Sequence, residues 1–214
     1  MPPTRARLTS SRRRCSVRVI AGSAKGRKLL SVPGDTTRPI TDRVKESLFN
    51  LLRGYVEGTT WLDLFAGTGA VGIEALSQGA ERVVFIDRVR KAIEVLRKNL
   101  ETTGFTEQAQ IVHGDAFQYL KHTDAAFDYI YVAPPQYQDL WAKTLTLLNE
   151  KPQLLAEDGR IIVQIHPKEF HPLSTPNLTM TAERRYGSTL LLFYAHRQAE
   201  REQEQEPEQE YEQE

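Results

Sequence analysis

A single cysteine, Cys15, stands among 214 residues. That count excludes an intramolecular disulfide framework and a multi-thiolate zinc site, and it points to a reducing compartment. The histidines His113, His122, His166, His171 and His196 form no H-E-x-x-H or comparable ligand spacing, so no structural metal is expected. No apolar run approaches the roughly 20 residues that span a bilayer. The arginines near the N-terminus have no apolar stretch behind them, so a soluble chain without a secretory signal is expected. No repeat of solenoid length is visible. What remains, with 40% hydrophobic and 26% charged residues, suits one globular domain of ordinary size.

Basic and acidic side chains number 28 each and cancel, but their distribution is uneven. Residues 1–53 carry a net charge of +10, residues 54–199 carry −3 and residues 200–214 carry −7. A one-sided basic segment draws a polyanion, which makes nucleic acid a candidate partner. Residues 1–16, rich in Arg, Ser, Thr and Pro, read as a flexible basic arm, with part of an organelle-targeting peptide as the alternative. Residues 199–214, mostly Glu and Gln, cannot bury enough surface to offset their ordering entropy and read as a disordered acidic tail. The folded domain is expected over 17–198.

Between the two ends, short apolar or β-branched runs alternate with helical spacing. A short strand is expected at Val17 to Ala21, and buried strands at Trp61 to Phe65, Arg82 to Ile86, Gln110 to Val112, Tyr129 to Val132 and Arg160 to Ile165. Helices are expected over Asp42 to Leu52, Ala70 to Ser77, Val89 to Leu100 and Leu140 to Leu148. Most of the helices act as crossovers between parallel strands. Leu178 to Arg184 and Thr189 to Tyr194, joined across Gly187, form a hairpin. The expected fold class is α/β, an open doubly wound and mostly parallel sheet ending in an antiparallel pair.

Asp63-Leu64-Phe65-Ala66-Gly67-Thr68-Gly69-Ala70-Val71-Gly72 contains G-x-G-x-x-G at a strand-to-helix junction, where backbone amides can approach a ligand. The glycines alone suit a dinucleotide equally well. Asp63 tips the balance, because a carboxylate there repels a pyrophosphate and suits the ammonium group of S-adenosylmethionine. Asp87, at the next strand end, can accept from a ribose diol, and Asp115, at the third, from an adenine amine. The plainer alternative is that all three aspartates are helix N-caps.

The chain resembles the RsmD-type small-subunit (16S) ribosomal RNA guanine-N2 methyltransferases. The resemblance runs from about Arg18 to Tyr194. It is carried by Arg18-Val19-Ile20-Ala21-Gly22 with Gly26-Arg27-Lys28-Leu29, by Thr37-Arg38-Pro39-Ile40-Thr41-Asp42-Arg43-Val44-Lys45-Glu46-Ser47-Leu48-Phe49-Asn50, and by Asp63 to Ala75. It implies a Rossmann-like methyltransferase fold with a seven-stranded sheet and an S-adenosylmethionine cofactor. The substrate it implies is small-subunit rRNA or the assembling subunit, and the enzyme is expected to be a cytoplasmic monomer. Cofactor contacts are implied for Thr37, Arg38, Pro39, Asp63, Phe65, Gly67, Gly69, Asp87, Arg88, Asp115 and Ala116. An RNA-binding segment is implied over 17–53, with Arg18, Lys25, Arg27, Lys28, Arg38, Arg43 and Lys45 gripping phosphates, which sets affinity and position without reading sequence.

The chain departs from this family at the catalytic motif. Where the family carries Asp or Asn, Pro-Pro and an aromatic residue, this chain has Ala133, Pro134, Pro135 and Gln136, followed by Tyr137. Ala133 offers no side-chain acceptor for the amine of the target base, and losing one positioned acceptor costs roughly 100- to 1,000-fold in rate. Gln136 as an amide acceptor and Tyr137 as a stacking platform are the expected substitutes. Two other readings compete with the enzyme. One is a catalytically impaired relative that binds RNA or assists ribosome assembly; the other, resting on the glycine loop alone, is a nicotinamide-dependent oxidoreductase.

Of the remaining aromatics, Phe49, Trp61, Phe65 and Phe85 read as core, whereas Tyr131 and Trp141 stay open. His166 reads as structural and Cys15 as incidental. Removing residues 199–214 should tighten non-specific RNA binding most at low salt, as measured by filter binding across an ionic-strength series. Unchanged affinity would show that the tail does not compete for the basic segment.

Overall fold

A computed structural model of the chain describes residues 17–33 and 40–197. The basic arm with Cys15, the strip Thr37, Arg38 and Pro39, and the acidic tail lie outside the described residues. Seven strands form one sheet, in the order β3-β2-β1-β4-β5-β7-β6. They are β1 (Thr60–Leu64), β2 (Arg82–Asp87), β3 (Ala109–His113), β4 (Phe127–Val132), β5 (Leu155–Ile165), β6 (Leu178–Tyr186) and β7 (Thr189–His196). The first five pair in parallel, and β7 pairs antiparallel with both β5 and β6. The expected mostly parallel sheet with its C-terminal hairpin is therefore present. The strand order reverses at β1, between β2 and β4, which is where a doubly wound sheet opens a crevice beyond its carboxyl ends.

Helices cover both faces because the strands are apolar on both. On one face α1 (Asp42–Leu51), α2 (Ala70–Ser77) and α3 (Arg90–Thr103) bury Leu48, Ile73 and Leu96 against Trp61, Phe85 and Tyr131. On the other, α4 (Ala116–His122) and α5 (Leu140–Glu150) bury Leu120, Trp141 and Leu145 against Leu62, Ile86 and Val132. Phe49, Trp61 and Tyr129 stack in a row across the first face, with ring centroids 5.8 and 4.5 Å apart. Phe49, Trp61 and Phe85 are thus core residues, and Trp141 joins them.

Four local expectations are corrected. Val17 to Ala21 is not a strand of the sheet: it folds back on residues 26–29 through a single Arg18–Lys28 bridge. The amides of Ile20 and Ala21 are instead taken by the Glu74 carboxylate at 2.8 Å each. Helix α4 was not foreseen, since two turns exposing Gln118, Lys121 and His122 carry little periodic signal, but Asp115 caps it. Strand β3 is a half-exposed edge rather than a buried strand, and β5 begins at Leu155 rather than at Arg160.

The returning N-terminal segment is seated on the end of α2. Gly22, at φ +78, lies so close that a Cβ there would meet the Ser77 carbonyl oxygen at 1.7 Å. Ser23 N donates to the same oxygen at 2.8 Å, and Ser77 Oγ donates to the Ala21 carbonyl at 2.6 Å. Beneath this contact Lys45 and Glu74, both 0% exposed, form an ion pair at 2.9 Å. Removing one partner of a buried pair leaves the other charge uncompensated, at a cost of about 3–5 kcal/mol. Lys45→Met should lower unfolding free energy by about that amount in urea titrations at neutral pH. A loss below about 1 kcal/mol would show that the pair does not anchor the segment.

Candidate active site

A cleft of about 600 Å³ opens at the carboxyl ends of β1, β2 and β4. Its floor is the turn after β1, which bends through left-handed backbone at Phe65 (φ 63), Gly67 (φ 55) and Gly69 (φ 74). Glycine adopts this conformation freely, whereas Phe65 is strained there. The turn places Phe65 at the cleft wall, edge-on to Phe117 at 6.2 Å, so Phe65 is a lining residue as well as an aromatic of the apolar interior.

The three rim aspartates are not equivalent. Asp63 is buried, and among the described residues its carboxylate accepts one hydrogen bond, from Gly72 N at 3.2 Å. Burial pushes its pKa well above the usual carboxylate value; the Gly72 bond opposes that shift and the nearby Asp87 charge adds to it. Its folded form therefore holds a proton to higher pH than the unfolded chain does. Stability falls as pH climbs from the ordinary carboxylate value, about 3.9, through the raised one. A buried carboxylate with so few partners at the cleft wall is a strong attractor for a cation.

Asp87 is first of all a brace. Its Oδ2 accepts from Gly67 N and its Oδ1 from Val89 N, each at 2.8 Å, so one side chain fixes the turns after both β1 and β2. Each oxygen keeps a lone pair that can accept from a ligand hydroxyl. Asp115 Oδ1 accepts from Phe117 N and Gln118 N at 3.0 and 3.1 Å, which makes it the N-cap of α4. The capping alternative thus holds for Asp115 and fails for Asp63 and Asp87, because α2 and α3 have Gly69 and Val89 at their caps.

Asp63, Phe65, Gly67, Asp87, Arg88, Asp115, Ala116, Ala133, Pro134, Pro135, Gln136 and Tyr137 all line the cleft. Gly69 does not line it. A Cβ at Gly69 would strike Leu96 Cδ1 at 2.3 Å, so that glycine serves the turn and the packing of α3. Ile40, which follows the undescribed strip, reaches the cleft. Thr68, Phe117, Tyr131 and Gln164 also line it and were not singled out as site residues. Gln164 had a signal, since it is the lone polar residue in the apolar run Ile161 to Ile165.

The loop after β4 is held in an unusual shape. Tyr137 has left-handed backbone (φ 61), is two-thirds exposed and donates its N–H to Glu169 Oε1 at 2.6 Å. The other oxygen of Glu169 accepts from His166 N at 3.0 Å, and His166 Nδ1 in turn caps the short turn Pro167–Glu169. His166 is structural, and its ring lies 5.8 Å from that of Tyr137.

Arg18, Lys25, Arg27, Lys28 and Arg43 are exposed on the N-terminal segment and the start of α1. Arg18 shares its charge with Asp42 at 3.1 Å. Lys45 is corrected: fully buried against Glu74, its ammonium cannot reach an RNA phosphate. Among the described residues no helix is long and apolar enough to cross a membrane.

Residues 17–195 match the family model described as conserved hypothetical protein 95. YlbH of Bacillus subtilis (strain 168) is 43% identical over 185 residues, covering 85% of this chain and 100% of that one. Ribosomal RNA small subunit methyltransferase D of Haemophilus influenzae is 35% identical over 175 residues, covering 80% and 89%. The solved structure of yhhF from Escherichia coli superposes with a TM-score of 0.76 at 32% identity, covering 85% of this chain and 98% of that one. The chain therefore belongs to the family of conserved hypothetical protein 95, the RsmD-type family that its own motifs resemble.

Proposed function

We propose that the protein is an S-adenosylmethionine-dependent methyltransferase acting on the exocyclic 2-amino group of a guanine in small-subunit ribosomal RNA. The observation that carries this reading is the buried Asp63 carboxylate beside a glycine turn, at the switch point of a doubly wound sheet, in a chain of this family. A pyrophosphate would be repelled by that carboxylate, which argues against a nicotinamide cofactor. The donor set fits S-adenosylmethionine, with Asp63 and the glycine turn for the methionine end, Asp87 for the ribose diol and Asp115, Ala116 and Phe65 around the adenine. Thr37, Arg38 and Pro39 belong to the same proposal, through the strip leading to Ile40. When bound, the cofactor supplies an electrophilic methyl group on a sulfonium.

The chain's own residues then have to hold a base and its amine in line and keep water out. Main-chain carbonyls of the Ala133-Pro134 turn accept from the amine. Tyr137, propped in its left-handed conformation by Glu169, offers an exposed ring on which a base that has left its stack can lie. Arg18, Lys25, Arg27, Lys28 and Arg43 bind phosphates of the flanking RNA. The protein works as a monomer in the cytoplasm, on an assembling small subunit. The missing acceptor at Ala133 favours one competing reading, a relative that binds RNA without turnover.

Labelled methyl transfer to small subunits from cells lacking this protein, followed by nucleoside analysis, tests the proposal. N2-methylguanosine is the expected product, and subunit and cofactor binding without transfer would favour the non-catalytic reading. Asp63→Asn should raise thermal stability at neutral pH, with the gain shrinking towards acid, while weakening cofactor affinity. A variant that is destabilised at neutral pH, or that binds the cofactor as before, would remove Asp63 from its assigned place.

A further inference from the structure

Ala133 leaves the catalytic loop without a side-chain acceptor, and the strand beside it carries one. Strands β4 and β5 run parallel with Val132 opposite Val163, so Ala133 and Gln164 come next in line. Strand alternation puts both on the sheet face of Tyr131 and Ile162. Gln164 is half-buried and lines the cleft. It also lines a recess of about 70 Å³ that adjoins the cleft beside Thr41, Tyr186 and Ser188. Its Oε1 accepts the Tyr131 hydroxyl at 2.6 Å. Tyr131 is buried, and burial together with the Asp63 charge raises its pKa well above the ordinary phenol value, so it stays protonated and able to donate.

We propose that Gln164 is the catalytic acceptor that Ala133 does not supply: its amide oxygen takes one N–H of the guanine 2-amino group, and Tyr131 is the positioning residue that turns this oxygen towards the amine. The inference rests on the proposed guanine-N2 methyl transfer. In that reaction the N2 lone pair forms the new N–C bond as the carbon–sulfur bond breaks and its electron pair stays on sulfur; one amine proton is then lost to water. An amide oxygen is too weak a base to keep that proton. Gln164 therefore acts by aiming the lone pair, and one of its lone pairs remains for the amine after Tyr131 has taken the other. Gln136 lines the same two cavities, but it sits on a loop, and a strand-borne group already fixed by a hydrogen bond is held more closely.

The test uses the full chain and two RNA fragments spanning the guanine found to be methylated, one with guanosine and one with inosine, which lacks the 2-amino group, at that position. Affinities are measured with S-adenosylhomocysteine present, and methyl transfer to the guanosine fragment is measured in single turnover. The unsubstituted protein should prefer guanosine by about tenfold. Gln164→Leu should lose that preference, leave the inosine fragment's affinity unchanged and slow transfer about 100-fold. Ala133→Asp added to Gln164→Leu should restore much of the rate. Gln164→Glu should keep the preference and gain an acid limb in its pH–rate profile. If Gln164→Leu fails to fold, Tyr131→Phe and Gln164→Glu decide, and Tyr131→Phe should lower the preference part-way. A protein that methylates the guanine while Gln164→Leu, or Tyr131→Phe in its place, keeps both preference and rate overturns the inference and leaves the proposed function standing. Absence of transfer to small subunits by the unsubstituted protein overturns the proposed function itself, and the inference with it.

Discussion

The buried ion pair between Lys45 and Glu74 is the constraint on which the arrangement of the site depends. Two charges removed from water are tolerated only when hydrogen bonds use their remaining capacity. Here they do. Glu74 accepts from Ile20 N, Ala21 N, Lys45 Nζ and Gln78 Nε2, and Lys45 also donates to the Arg18 carbonyl. One carboxylate thereby joins the returning N-terminal segment, α1 and α2. Helix α2 grows out of the glycine turn, so the turn and the basic segment share a fixed frame. Asn99 adds a second tie from α3: its side chain bonds the backbone N–H and C=O of Leu30 and the carbonyl of Thr68 within the glycine turn.

Strain collects at the rim above this frame. Among the described non-glycine residues, left-handed backbone occurs at Phe65, Tyr137 and Asp139, and the first two line the cleft. Each such residue costs on the order of 1–3 kcal/mol and persists only where its surroundings over-determine it. Asp87 clamps the turn below Phe65, and Glu169 clamps the amide of Tyr137. The sheet supplies rigidity and a few carboxylates convert it into particular loop shapes.

Much of the architecture was legible because each parallel strand is a short apolar run and the G-x-G-x-x-G loop sits at a strand-to-helix junction. The family resemblance located the cleft's rim down to Asp63, Asp87 and Ala133. Interactions between residues distant in sequence were not legible. The charge of Lys45 pointed to solvent, and only the partner 29 positions away in sequence, on a helix with no other charge, takes it inside. Val17 to Ala21 had the pattern of a strand, but its amides answer to Glu74. Helix α4 was too short for periodicity to separate from a loop. Gln164 stood out as a lone polar residue in an apolar strand, but its role was not legible, because its partner Tyr131 lies one strand away.

The burial of Lys45 also changes how the basic segment is counted. Seven cations of the described 17–53 region invite a polyanion on paper, yet Lys45 is neutralised inside and Arg18 shares its charge with Asp42. The field that reaches solvent there comes mainly from Lys25, Arg27, Lys28, Arg43 and Arg53. At roughly 0.7–0.9 released counterions per phosphate contact, these five exposed cations displace about four ions. A grip of that size leaves with a modest rise in salt, so this surface suits an enzyme that must release each methylated rRNA.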